Sequence, residues 1–248
     1  MKTKVLLLTI VSSLGLIGAV QAADIPVKAP PMAAPARSWT GCYLGGGGGY
    51  GMWNQETTHF TNGVADSVAQ TGGGRGWFGT VQVGCDYQFN GNWVIGAFGD
   101  WDFGSIRGTP HFAFGMAGHE TEKWAWSAGG RLGYLITPTV LTFVSAGARA
   151  AHFDRVDLFD EDGSGSVGLF IPAHTYNGWF FGGGYEYALS WAPGLFWKTE
   201  YRYAEFSRAR LPQMVTTTGL ANTASYDSRK FEQTIRSELV WRFNWGRY

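Results

Sequence analysis

GWFGTVQVGCDYQFN, residues 76–90, alternates with a period of two. Trp77, Gly79, Val81, Val83, Cys85, Tyr87 and Phe89 fall on one side, and Thr80, Gln82, Gly84, Asp86 and Gln88 on the other. Successive side chains of a β-strand point to opposite faces, so this stretch reads as a strand with one apolar, aromatic face and one small, polar face. Asn90-Gly91-Asn92 then supplies a tight turn.

The same pattern recurs outward from this strand. Residues 93–103 set Trp93, Ile95, Ala97, Trp101 and Phe103 against Asp100 and Asp102. Residues 123–137 set Trp124, Trp126, Leu132, Tyr134 and Ile136 against Lys123, Ser127 and Arg131. Residues 140–153 are small or apolar on both faces, which leaves their facing open. Residues 179–189, 195–206 and 234–245 alternate again, with Glu186, then Lys198, Glu200 and Arg202, then Arg236, Glu238 and Arg242 on the polar side. With residues 39–54 this predicts eight strands. Turns near 91, 138 and 193 are short, whereas the connections at 55–75, 104–122, 154–175 and 207–232 are long and rich in Gly, Ser, Thr and charge.

In a soluble barrel the apolar face packs inward; in a membrane barrel the faces invert and the aromatics meet lipid. Aromatics near both strand ends and few, sign-matched charges on the polar faces favour the inverted arrangement. The predicted fold is all-β: an eight-stranded antiparallel up-and-down transmembrane β-barrel, with short periplasmic turns and long extracellular loops.

The ends agree with export. Lys2 and Lys4 precede an apolar stretch at 5–20, and Val20-Gln21-Ala22 offers small residues for cleavage, so residues 1–22 read as a signal peptide. Residues 23–38 contain four prolines and no periodicity and read as a periplasmic linker, leaving 39–248 for the barrel. Beyond the signal no apolar run approaches the roughly 20 residues of a membrane helix. Without residues 1–22 the chain carries 17 Lys+Arg (19 less Lys2 and Lys4) against 19 Asp+Glu, so nothing points to nucleic acid.

GGGGG at 45–49 invites a phosphate-loop reading, but period-2 structure runs through it and neither a helix nor a Lys-Ser/Thr follows. A steric role fits better. An eight-stranded barrel is only just wide enough for its side chains, and Gly45, Gly47 and Gly49 on the inner face leave room for long charged groups opposite. Placing Cys42 opposite Cys85 centres the first hairpin near residue 63 and predicts a disulfide on the lipid-facing side, near the periplasmic rim. Inward charges in so narrow a lumen must pair. Arg131, Glu186, Lys198, Glu200, Arg202, Arg236 and Arg242 are the predicted network, centred on Glu186, Glu200, Arg131 and Arg202. The five histidines are scattered and show no metal-ligand spacing, so neither a catalytic site nor a metal or cofactor is expected.

An ordered set of motifs resembles one family: ADIPVKAP with SWTGCYLGGGGGYG, VQVGCDYQFNGNWVIGAFGDWDF, GRLGY at 130–134, GWFFGGGYEYAL at 178–189, KTEYRYAEF at 198–206 and TIRSELVWRF at 234–243. Together they resemble the outer-membrane immunogenic proteins of alphaproteobacteria, the OmpA-like porin-family barrels. The resemblance implies an abundant, antigenic barrel in the outer membrane of a Gram-negative bacterium, structural or weakly pore-forming, with haemin binding linked to some members. It implies contact with outer-membrane lipid and lipopolysaccharide. It also implies recognition by the barrel-assembly machinery through the closing aromatics Trp241, Phe243 and Tyr248, the last beyond the family's usual end at Phe243. The expectation is a monomeric, non-enzymatic surface barrel serving envelope integrity. Its alternatives are a narrow low-conductance porin for small solutes and loop-mediated haemin or host-surface binding through His59, Phe60, Phe112, Phe114 and His119.

Overall fold

The computed structural model describes residues 38–243. The signal peptide, residues 23–37 of the linker and Tyr248 lie outside the described residues. Eight long strands form one closed antiparallel ring: β1 (Gly41–Thr61), β2 (Gln70–Phe89), β3 (Trp93–Gly108), β4 (Glu120–Thr137), β5 (Val140–Phe153), β6 (His174–Ala188), β7 (Leu195–Phe206) and β8 (Ala221–Phe243). Each strand pairs with its sequence neighbour, and β8 closes the ring on β1 from Cys42↔Phe243 to Thr61↔Ala224. Closure leaves the ring without an edge, the condition for backbone to cross hydrocarbon.

The alternation sets the faces. Val81, Val83, Tyr87, Ile95, Trp101, Tyr185, Ile235 and Leu239 are exposed on the outside, while Thr80, Gln82, Asp86, Asp100, Glu186 and Arg236 are buried inside. Outward aromatics make two girdles. Trp93 and Tyr134 pack 5.1 Å apart near the short turns, and Tyr50 with Trp77 (5.1 Å) and Trp101 with Trp124 (5.0 Å) mark the other boundary. Such bands belong at the two membrane–water interfaces. At the short-turn end Asn90 and Gly91 both take positive φ (47° and 76°) in the three-residue turn that joins Phe89 to Trp93.

The predicted long loops are only partly irregular. β1 runs on to a tight Asn62-Gly63 turn (φ 51° and 81°), and Val64–Ala65 folds back on β1 ahead of β2. Above the girdle, hydrogen-bonded segments run in series from β8: Ala209–Val215, Ser166–Ile171, Val156–Asp160, Met116–Gly118 and His111–Phe112. Phe112, Met116, Val156, Leu158, Ile171 and Leu211 are buried beneath them. The loops form a β-cap with its own apolar core. Within it the Asp66 carboxyl, 2.6 Å from the buried His59 ring, is held below its usual range by the Thr61 hydroxyl and then by His59.

One facing expectation fails. Lys123 is not in the lumen: the ladder slips between Glu122 and Trp124, so the strand changes phase there. Lys123 is exposed and pairs with Asp154 on the outside (3.1 Å). Glu120 and Glu122 take the inward positions instead.

Candidate functional site: a charged lumen closed at both ends

The periplasmic floor is apolar. Trp39 is wholly buried, its ring 4.9 Å from Phe196, and its indole Nε1 donates to the Pro138 carbonyl (3.4 Å). Val94, Leu141 and Val240 are buried at the same end. On this floor stand two arginines and two acids. Arg131 donates to Asp86 (2.9 Å) and Glu186 (3.0 Å), and Arg242 donates to Glu186 (2.6 and 2.9 Å) and Asp86 (2.7 Å). Both guanidiniums lie about 5 Å from the Tyr43 ring (4.9 and 5.1 Å). The square is closed: each cation reaches both anions.

Phe143 separates this layer from the next, 5.2 Å from the Arg131 guanidinium and 5.7 Å from Lys198 Nζ. At mid-barrel Arg202 forks onto Glu200 (2.9 and 3.0 Å) and donates to Asp100 (2.7 Å), between the rings of Phe98 and Phe180 (5.1 and 4.7 Å). Lys198 reaches Glu200 (2.9 Å) and Gln82 (2.8 Å). Arg236 bridges Asp100 (3.3 Å) and Asp102 (2.9 Å). Higher, Arg149 donates to Asp102 (2.9 Å) and forks onto Glu232 (both 2.7 Å).

At the top Lys230 bonds Glu120 (2.7 Å) and Gln55, with Phe153, Trp53 and Tyr176 around it at 4.3, 4.7 and 5.2 Å. The β-cap covers this layer. The gap left among Phe112, Ile171, Tyr176, Leu211 and Tyr226 is about 10 Å³, the space of at most one water.

Nine buried carboxylates (Asp86, Asp100, Asp102, Glu120, Glu122, Glu186, Glu200, Glu232, Glu238) thus face seven buried cations (Arg131, Arg149, Lys198, Arg202, Lys230, Arg236, Arg242). The surplus is negative, and one oxygen each of Glu120, Glu122 and Glu238 has no hydrogen-bond partner. Removing a charge from water costs several kcal/mol unless it is paired and hydrogen-bonded. That cost explains why every one of the seven cations reaches at least one carboxylate.

Of the residues read from sequence, the seven network members all lie in the lumen. Arg131 bonds Glu186 and Arg202 bonds Glu200, but these pairs occupy two layers with Phe143 between, rather than one centre. Arg149, Lys230 and Glu232 had no sequence reading. Gly47 and Gly49 stand opposite Glu238 and Arg236 in the ladder, and Gly45 opposite Val240. A Cβ on Gly45 would lie 3.2 Å from a Glu238 oxygen, and one on Gly49 would lie 2.5 Å from the Phe78 ring. Cys42 and Cys85 are directly opposed, outward-facing and disulfide-bonded. Trp241 and Phe243 face outward at the end of β8. Among the loop residues, His59 and Phe112 are buried in the cap, whereas Phe114 is exposed. Among the described residues, no group of three or more His, Cys, Asp or Glu side chains is placed to hold a metal ion.

A closed ring, an apolar exterior between two aromatic girdles and a polar interior together define a transmembrane barrel of the outer-membrane kind. The chain is similar to the 31 kDa outer-membrane immunogenic protein of Brucella melitensis biotype 1, with 29% identity over 242 residues, covering 90% of this chain and 92% of the relative. It is also similar to the 25 kDa outer-membrane immunogenic protein of Brucella ovis, with 24% identity over 73% of this chain and 76% of the relative. No protein-family model matches the chain. Among solved structures, the outer membrane protein OprG from Pseudomonas aeruginosa shares the fold at 10% identity, with a TM-score of 0.54 over 82% of this chain and 97% of that one. The protein is a surface β-barrel of the Gram-negative outer membrane.

Proposed function

We propose that the protein is a closed structural element of the outer membrane, acting as a single chain without catalysis, which adds rigid, sealed surface to the envelope. One observation carries this reading: charge layers and aromatic rings fill the lumen from the Trp39 floor to the β-cap. A solute path would need several interlocked ion pairs broken at once, each costly to leave unpaired in so dry a site. Interaction with the barrel-assembly machinery through Trp241 and Phe243 belongs to the same reading.

Single-channel recording of the refolded, heat-modifiable protein in a planar bilayer tests it. The expected trace is silent at moderate voltage. Discrete, cation-selective openings, the sign set by the surplus of lumen carboxylates, would replace the plug with the narrow-porin reading.

A further inference from the structure

Seven basic side chains of the described residues lie outside the lumen. Five have an acid within 4 Å: Lys123 with Asp154 (3.1 Å), Arg155 with Asp157, Arg208 and Arg210 with Asp227 (3.5 and 3.6 Å), and Arg229 with Glu205. Arg75 and Arg107 have none among the described residues. These two stand directly opposite each other in the β2–β3 ladder. Both side chains are exposed, and Arg75 shares the outward face of Trp77. Like charges directly opposed across strands destabilise a sheet unless something lies between them to neutralise them.

Their height on the barrel indicates what that is. Arg75 sits two residues, roughly 7 Å along the strand, beyond Trp77 of the extracellular girdle. A cleft of about 480 Å³ adjoins Arg107 on the outer wall, lined also by Thr109, His119, Glu120 and Thr121. Thr109 Oγ1 and His119 Nδ1 lie 3.2 Å apart there, and the one carboxylate, Glu120, is turned inward onto Lys230 (2.7 Å). The cleft therefore offers an anion the Arg107 guanidinium, threonine hydroxyls and a ring nitrogen, with Arg75 directly opposite Arg107 on the neighbouring strand.

We infer that Arg75 and Arg107 form a binding site for a phosphate of lipid A, the membrane anchor of lipopolysaccharide. Outer-leaflet lipid A carries its phosphates on sugars at the boundary of the acyl layer, the level at which an arginine pair just above an aromatic girdle stands. Guanidinium forks match phosphate oxygens in a bidentate manner, and basic pockets at the membrane face recognise lipid headgroups in this way. The acyl chains would lie along the outer face below, over Trp77 and Val81.

The test is lipid retention by the intact barrel, refolded in lipopolysaccharide-free detergent and read by native mass spectrometry. The probes are bisphosphorylated lipid A, its dephosphorylated counterpart and inorganic phosphate. Wild type should hold one lipid A, with dephosphorylated lipid A bound at least about tenfold more weakly, the ratio expected for losing one charge-assisted hydrogen bond. R75Q/R107Q should show the same weakening with heat-modifiable mobility intact, and R107Q alone serves if the double variant folds poorly. R208Q/R210Q, whose arginines are already paired with Asp227, should bind like wild type. Equal binding of dephosphorylated lipid A, or unchanged affinity in the arginine variants, overturns the site. Displacement of lipid A by millimolar inorganic phosphate overturns its assignment to a lipid.

Discussion

Replacing Arg149 by Met keeps most of the side-chain volume and deletes the guanidinium that holds the upper lumen together. Glu232 accepts two bonds from it at 2.7 Å, Asp102 one at 2.9 Å, and Glu122 lies 3.9 Å away. Asp102 keeps Arg236 at 2.9 Å, whereas neither Glu232 nor Glu122 has another described cation within 4 Å. Breaking a buried ion pair costs about 3–5 kcal/mol when an uncompensated charge remains. Two stranded carboxylates place R149M at the upper end, about 5 kcal/mol. R202M provides the calibration. It removes four hydrogen bonds, three of them to carboxylates, but Glu200 keeps Lys198 (2.9 Å) and Asp100 keeps Arg236 (3.3 Å). Its cost should be nearer the 1.5–3 kcal/mol of a charged hydrogen bond, about 2 kcal/mol. Urea unfolding of barrels in lipid vesicles, followed by tryptophan fluorescence and heat-modifiable mobility, measures both. R149M should recover partly on acidification, since a neutral carboxyl needs no counter-charge. If R202M proved the more damaging, or both variants cost under about 1 kcal/mol, the layered ion pairs would not be what holds the lumen together.

Two further outcomes follow from the first hairpin. The Cys42–Cys85 bridge spans 43 residues, for which chain entropy gives about 4 kcal/mol of stabilisation. C42S/C85S should therefore unfold at lower urea, and reductant should change the gel mobility of heated but not of folded wild type; equal midpoints would refute it. In the glycine run, G49A would press its Cβ to 2.5 Å from the Phe78 ring and should cost about 1–3 kcal/mol. G46A, facing outward with only the Thr80 carbonyl at 3.9 Å, should be near neutral in the same titration.

Between the girdles the fold could be read from sequence because lipid and lumen demand opposite chemistry of alternate residues. Trp77, Val81, Val83 and Tyr87 against Thr80, Gln82 and Asp86 is the result. Above the extracellular girdle that contrast vanishes, since outward side chains meet water and inward ones meet charge, so both are polar. Gln55, Glu120, Glu122, Lys230 and Glu232 therefore lay in segments read as loops, although Gln55 keeps the inward parity of Trp53. The Asn62-Gly63 turn was the available signal that β1 runs that far. Arg149 was hidden for another reason: β5 is rich in Ala and Gly on both faces, so its parity carries no hydrophobic information. Lys123 misled because a bulge changes the phase, and no periodicity count detects one extra residue.

The lumen charges also fix register, which periodicity alone leaves open. A slip of one residue between β7 and β8 would turn Lys198, Glu200 and Arg202 into lipid, a cost of about 2–4 kcal/mol for each basic residue near the midplane. A slip of two keeps the faces and must be excluded otherwise. In the observed ladder Lys198 opposes Glu238 and Glu200 opposes Arg236. Moved by two in one direction, Glu200 would oppose Glu238 and Arg202 would oppose Arg236. Moved by two in the other, Lys198 would oppose Arg236. Each error sets like charges side by side in a low dielectric, where such pairs repel strongly. The glycines on the other side of β8 leave room without choosing: Gly47 and Gly49 face Glu238 and Arg236, and a slip of two would only bring Gly45 or Gly51 into those places. Charge order thus selects, among the pairings that hide the polar face, the one in which every long cation reaches an anion.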